Sequence, residues 1–175
     1  MPKYNCQCFI DAFARAFDLE KTTLIEFLGH DGKEIIDSTL EEPFCYRGVH
    51  WQEFVDIGEK INKPVVAIEL HPMLLTKTKT INIYASHLAE ERFSNYIQTT
   101  SGVLYVAVKG FNWHHALFVD NGMITDLDTG KSFTYNNIHL AFTPFVYFKV
   151  TSNAQTKPAG EFNSCIKNGR PSCKK

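Results

Sequence analysis

The chain has 175 residues, 44% of them hydrophobic, with 14 Phe and 7 Tyr, which is enough apolar bulk for one domain with a core that needs no staples. A formal net charge of -1 gives no global field toward nucleic acid or acidic membranes, so neither is expected as a partner. No run of about 18 apolar residues is present and no signal-peptide apolar stretch opens the chain, so no membrane span is expected and the expected compartment is cytoplasmic, of its own cell or of a host.

Apolar residues at Phe9, Ala12-Phe13 and Ala16-Phe17 recur at helical spacing and predict a first helix over Cys8–Phe17. Thr22–Leu28 reads as a second, stopped by Gly29, and Gly29-His30-Asp31-Gly32 as a turn. Residues 33–49 look irregular. Trp51–Ile61 is a third helix, ended by Pro64, and the β-branched run Val65–Leu70 reads as a buried strand. Ser86–Gln98, with Leu88, Phe93 and Ile97, is an amphipathic helix. The second half is strand-rich: Val103–Val108, Ala116–Val119, Met123–Asp126 and Phe145–Val150. Asp120-Asn121-Gly122 marks a hairpin because Asn-Gly accepts positive φ, and Asp128-Thr129-Gly130 marks the next turn. Helices first and antiparallel strands after define an α+β domain over residues 1–150, with a polar, flexible tail expected over 151–175.

The five cysteines are Cys6, Cys8, Cys45, Cys165 and Cys173; an odd number without a secretion signal speaks against a disulfide framework. A thiol becomes a strong nucleophile at a helix N-terminus with a histidine nearby, because the exposed N–H groups and the cation both favour thiolate. Cys8 opens the first helix, and His115 opens the Ala116–Val119 strand. The hairpin folds Asp126 back toward the level of His115, where it can orient the ring; Asp128, on the same face, is the alternative orienter. Cys6 competes with Cys8 for the nucleophile's role, but Phe9 and Ala12 fall at the helical offsets that suit Cys8. Alternation sends His114 to the face opposite His115. Cys6-Gln7-Cys8 with a histidine is poor spacing for zinc, and no metal or cofactor is expected. His30 reads as part of a glycine-flanked turn that can also line a cleft, His50 as a cap of the third helix beside Gln52 and Glu53, and Arg47 as a contact for a substrate carboxylate.

The segment Asn5-Cys6-Gln7-Cys8-Phe9-Ile10-Asp11-Ala12-Phe13 resembles the active-site helix of papain-like cysteine peptidases. The segment from His115 to Asp126 resembles their histidine strand, hairpin and aspartate strand. The compact members are the most similar: double-glycine-leader peptidases that process bacteriocins, and viral leader and ovarian-tumour-type thiol proteases. Gly29–Gly32 and Arg47–Glu53 look like segments of bacterial and phage proteins of this type. The resemblance covers residues 5–150 in order and spacing. It implies a papain-like fold, with helices carrying Cys8 packed on an antiparallel sheet carrying His115 and Asp126, and cleavage of a peptide or isopeptide bond in a protein or peptide substrate through an acyl-enzyme. Papain-like enzymes place an oxyanion-hole Gln or Asn several residues before the cysteine. Here seven residues precede Cys8, Gln7 is too close, and Asn5 is the upstream amide at a workable offset. Two alternatives stay open: a catalytically inactive binding or structural module of this fold, and an acyl transferase using the same three residues. The oligomeric state is not legible.

Overall fold

The computed structural model describes residues 7–42, 45–70, 73–75, 80–82, 89–110 and 114–151. Helices α1 (Gln7–Phe17), α2 (Lys21–Leu28) and α3 (Trp51–Lys60) lead the chain. Strand β1 (Val65–Glu69), the short pair β2 (Met73–Leu75) and β3 (Thr80–Asn82), and helix α4 (Ala89–Thr99) follow. Then come β4 (Ser101–Val108), β5 (His114–Asp120), β6 (Met123–Thr125), β7 (Ser132–Phe133), the short helix α5 (Tyr135–Ile138) and β8 (Phe142–Val150). Six strands form one open antiparallel sheet in the order β1-β8-β4-β5-β6-β7. The α+β reading therefore holds, and no helix among the described residues is long and apolar enough to cross a membrane.

The sheet is covered on both faces, and strand alternation sorts its side chains into two apolar layers. Val103, Ala116 and Phe148 join Ile10, Phe13, Phe17, Leu24 and Phe54 of α1–α3 in one layer. Their immediate neighbours Leu104, Leu117 and Tyr147 join Phe93 and Ile97 of α4 and Ile138 of α5 in the other. Phe13 stacks on Phe54 with ring centroids 4.1 Å apart, and neither ring is exposed. Full burial of such a side chain contributes about 2–3 kcal/mol, so these rings hold α1 and α3 together.

Local signals end the elements. Gly29 takes φ 76° at the C-terminus of α2, and its N–H donates to the Ile25 carbonyl at 2.9 Å. Asn121 and Gly122, with φ 45° and 92°, make the tight β5–β6 turn that their pairing predicts. His50 caps α3: its Nδ1 accepts the Gln52 N–H at 3.2 Å, while Glu53 accepts the His50 N–H at 2.8 Å.

Two expectations change. The run Val65–Leu70 reads as a buried strand, but β1 is an edge strand with β8 as its one neighbour in the sheet, and Val66 is 49% exposed. Its β-branched residues suit extended backbone without requiring two covered faces. Residues 33–49, read as irregular, are so among the described residues, apart from a bridge between Ile35 and Tyr46 flanked by Arg47 N–H donating to Glu34 and Gly48 N–H donating to Gly32. The last strand starts at Phe142 rather than Phe145, and a bulge between Tyr105 and Val106 of β4 skips Phe145 on β8. That extra residue resets the alternation, so Phe142 falls in the layer of Leu104 and Leu117. The expected helix over Ser86–Gln98 is described from Ala89, and the expected tail lies outside the described residues beyond 151.

Candidate active site

His115 is the second residue of β5 and is buried, 6% exposed; His114 before it is exposed, its ring lying against Tyr105 and Phe145. The imidazole of His115 stacks on Phe142 at a centroid distance of 6.2 Å. Its Nε2 lies 3.0 Å from Asp126 Oδ1, and both side chains are more than nine-tenths buried. An ionised carboxylate only accepts, so Nε2 carries the proton and donates.

The register explains why Asp126 is the partner. Phe118 pairs with Thr125 and Val119 with Ile124, so Asp126 falls opposite Leu117, diagonal to His115 on the same face. Asp128, which continued pairing would set opposite His115, instead turns away into the loop and is exposed. Its N–H donates to Asp126 Oδ1 at 3.0 Å, and Thr129 Oγ1 donates to Asp126 Oδ2 at 2.7 Å. The Asp126-Leu127-Asp128-Thr129-Gly130 turn is therefore built around the carboxylate that orients the ring. Burial raises the Asp126 pKa, but the hydrogen bonds from His115, Thr129 and the Asp128 backbone outweigh it and hold the group below the usual carboxylate range.

Cys8 is the second residue of α1 and is buried with Ala116 in the layer of α1–α3, whereas His115, one residue before Ala116, faces the opposite layer with Leu117 and Phe142, and it is His114 that shares the Ala116 face. Two contacts orient α1 over β5. Phe9 meets Tyr105, the cross-strand partner of Ala116, at 5.3 Å, and the Arg15 guanidinium lies over the Phe118 ring at 5.8 Å. The helix advances about 9 Å from Phe9 to Arg15 and the strand about 7 Å from Ala116 to Phe118. The two elements therefore run side by side in one direction, and the N-terminus of α1 stands at the His115 end of β5. Strand β6 pairs with Phe118–Asp120, so beside His115 the flank of β5 carries the Asp126 turn in place of strand.

Asn5 and Cys6 lie outside the described residues. Gln7 is buried, and its side-chain Nε2 donates to the Asp31 carbonyl at 3.0 Å, a contact that gives its amide a structural task. Arg47 is half-exposed and sits 3.6 Å from Glu34 and 3.8 Å from Glu53. His115, Asp126 and Asp128 each offer a ligand atom within 4.8 Å of the others. The Asp126 oxygens are already committed to three donors, which makes this trio an orienting network rather than an open chelate. Thr129 and Phe142 escaped the sequence reading. The Asp-x-Asp-Thr-Gly pattern carried a signal for Thr129, whereas Phe142 reaches the ring only through the β8 bulge. No protein-family model matches the chain, and no curated protein matches its sequence.

Proposed function

We propose that the chain is a thiol hydrolase of papain-like type, acting on a peptide or isopeptide bond, with Cys8 as nucleophile, His115 as base and Asp126 as orienter. The observation that supports this reading is the buried 3.0 Å contact between His115 Nε2 and Asp126, at the end of β5 beside which α1 begins. Cys8 packs with Ala116 on the other face of the sheet, so the reading requires the first turn of α1 to bring the sulfur round the edge of β5 that β6 leaves uncovered there. With Asp126 on Nε2, Nδ1 is the ring nitrogen to which this reading gives the thiol proton. A helix N-terminus favours the resulting thiolate, and the imidazolium formed is stabilised by the carboxylate behind it. The sulfur attacks the carbonyl carbon, and the developing oxyanion is met by backbone N–H groups at the start of α1. His115 returns its proton to the leaving nitrogen as the C–N bond breaks. It then takes a proton from water, which opens the thioester and releases the acid. In this reading Asp128 shapes the turn through its backbone and does not orient the ring.

The test is labelling by an electrophilic thiol probe at neutral pH. Mapped by peptide mass spectrometry, the fast labelling sits on Cys8 and is lost in Cys8→Ala, His115→Ala slows it by about 10²-fold or more, and Cys6→Ala and Cys45→Ala leave it unchanged. Labelling of Cys8→Ala at the wild-type rate would overturn the assignment. Mass spectrometry of the acylated enzyme with added amine distinguishes hydrolysis from transfer to nitrogen, because the acyl group then appears on the amine.

A further inference from the structure

A second histidine–carboxylate pair, part-buried, stands close to the start of α1. His30, in the Gly29–Gly32 turn, has a side chain 8% exposed, and its Nε2 lies 2.8 Å from Glu53 Oε1 near the start of α3. Its Nδ1 accepts the Gly32 N–H at 3.1 Å, so Nε2 carries the proton and donates to Glu53. Glu53 is bound from further sides: its other oxygen accepts the His50 N–H at 2.8 Å, and Arg47 approaches at 3.8 Å. Burial raises the Glu53 pKa, but these partners outweigh it and keep the carboxyl ionised. The residue after His30 is Asp31, whose carbonyl accepts from the buried Gln7 amide at 3.0 Å. Gln7 immediately precedes Cys8.

We propose that the Gly29–Gly32 turn is a clamp that positions the first turn of α1, with His30, Glu53 and Gln7 as its positioning residues. Glu53 fixes the His30 ring, the ring fixes the turn, and the Asp31 carbonyl fixes Gln7 and with it the angle at which Cys8 meets β5. Helix ends fray unless something holds them; Cys8 and Phe9 anchor the first turn of α1 in the apolar layer, and the Gln7 amide adds a polar tie at the residue before them. The consequence for thiol chemistry rests on the hydrolase reading; the clamp itself does not.

Two measurements on the full chain test this. Amide hydrogen exchange over residues 7–11 should rise about three- to tenfold in Gln7→Leu and in His30→Phe, the yield of one lost hydrogen bond. The double variant should rise no further than the larger single effect, since both act through one contact. His30→Gln, whose amide can still donate to Glu53, should recover most of the protection. In parallel, the rate of Cys8 alkylation by iodoacetamide, followed against pH, should fall at neutral pH and its midpoint move upward in Gln7→Leu and His30→Phe. Cys45, buried at the end of the same loop, is the internal control and should stay unlabelled. Unchanged exchange over residues 7–11, additive effects in the double variant, or labelling of Cys45 in His30→Phe would each overturn the clamp; the last would show that the loop has simply opened. Raised exchange with an unchanged alkylation profile would overturn the positioning of the thiol. A wild-type alkylation rate that His115→Ala does not lower would remove the hydrolase reading, while the exchange data would still decide the clamp.

Discussion

Replacing Asp126 by alanine removes the acceptor for three donors at once: His115 Nε2–H, the Asp128 N–H and the Thr129 hydroxyl. The first of these is buried with its partner, so the imidazole is left inside the protein without its carboxylate. Breaking a buried pair from one side costs about 3–5 kcal/mol. For a domain of this size, each kcal/mol lowers Tm by about 2–4 °C, so Asp126→Ala should melt roughly 6–20 °C below wild type. Asp126→Asn retains an oxygen for the His115 N–H and should lose about 1–2 kcal/mol, the difference between a charge-assisted and a neutral hydrogen bond. Acid separates the two explanations further. The folded-state pKa of Asp126 is depressed, so the unfolded chain takes up that proton first, near pH 4. The stability it contributes is complete above about pH 4 and is lost as pH falls through the lower folded value. Urea unfolding of wild type and Asp126→Asn should therefore converge as pH drops from about 5 to 3. Equal losses in the Ala and Asn variants, or a loss under about 1 kcal/mol in Asp126→Ala, would refute the claim that the carboxylate orients a buried ring.

Gly102→Ala tests the sheet itself. A Cβ at Gly102 would lie 2.2 Å from the Phe148 carbonyl oxygen and 3.0 Å from the Tyr147 ring, so β4 and β8 must separate; a loss of about 3 kcal/mol or more by urea unfolding is expected. Tyr147, fully buried beneath α4, has its pKa pushed up to about 12, chiefly by burial, with its hydroxyl 2.9 Å from Thr100 Oγ1. Unfolded tyrosine ionises near pH 10, so its contribution is whole below about pH 10 and is lost as pH climbs toward the folded value. The alkaline fall in stability should accordingly be smaller in Tyr147→Phe, as followed by thermal melts between about pH 8 and 11.

Much of this was written locally along the chain. The 3.6-residue repeat of Phe9, Phe13 and Phe17 forms α1 because those rings need one face to hide. Asn121-Gly122 closes the β5–β6 hairpin because that dipeptide suits its positive φ angles. That hairpin brings Asp126, eleven residues on, back beside His115 across one turn. The choice between Asp126 and Asp128 was not local. It depended on where β6 stops and on the Asp128 and Thr129 donors closing around one carboxylate. Nor was the position of Phe142, which a bulge between strands distant in sequence delivers to the His115 ring. The edge position of β1 and the link from Glu53 through His30 to Gln7 belong to the same class. Periodicity and turn chemistry depend on neighbours within a few residues, so sequence alone determines them. Register ends, bulges and contacts between segments more than twenty residues apart depend on how finished elements pack, and only the tertiary structure decides those.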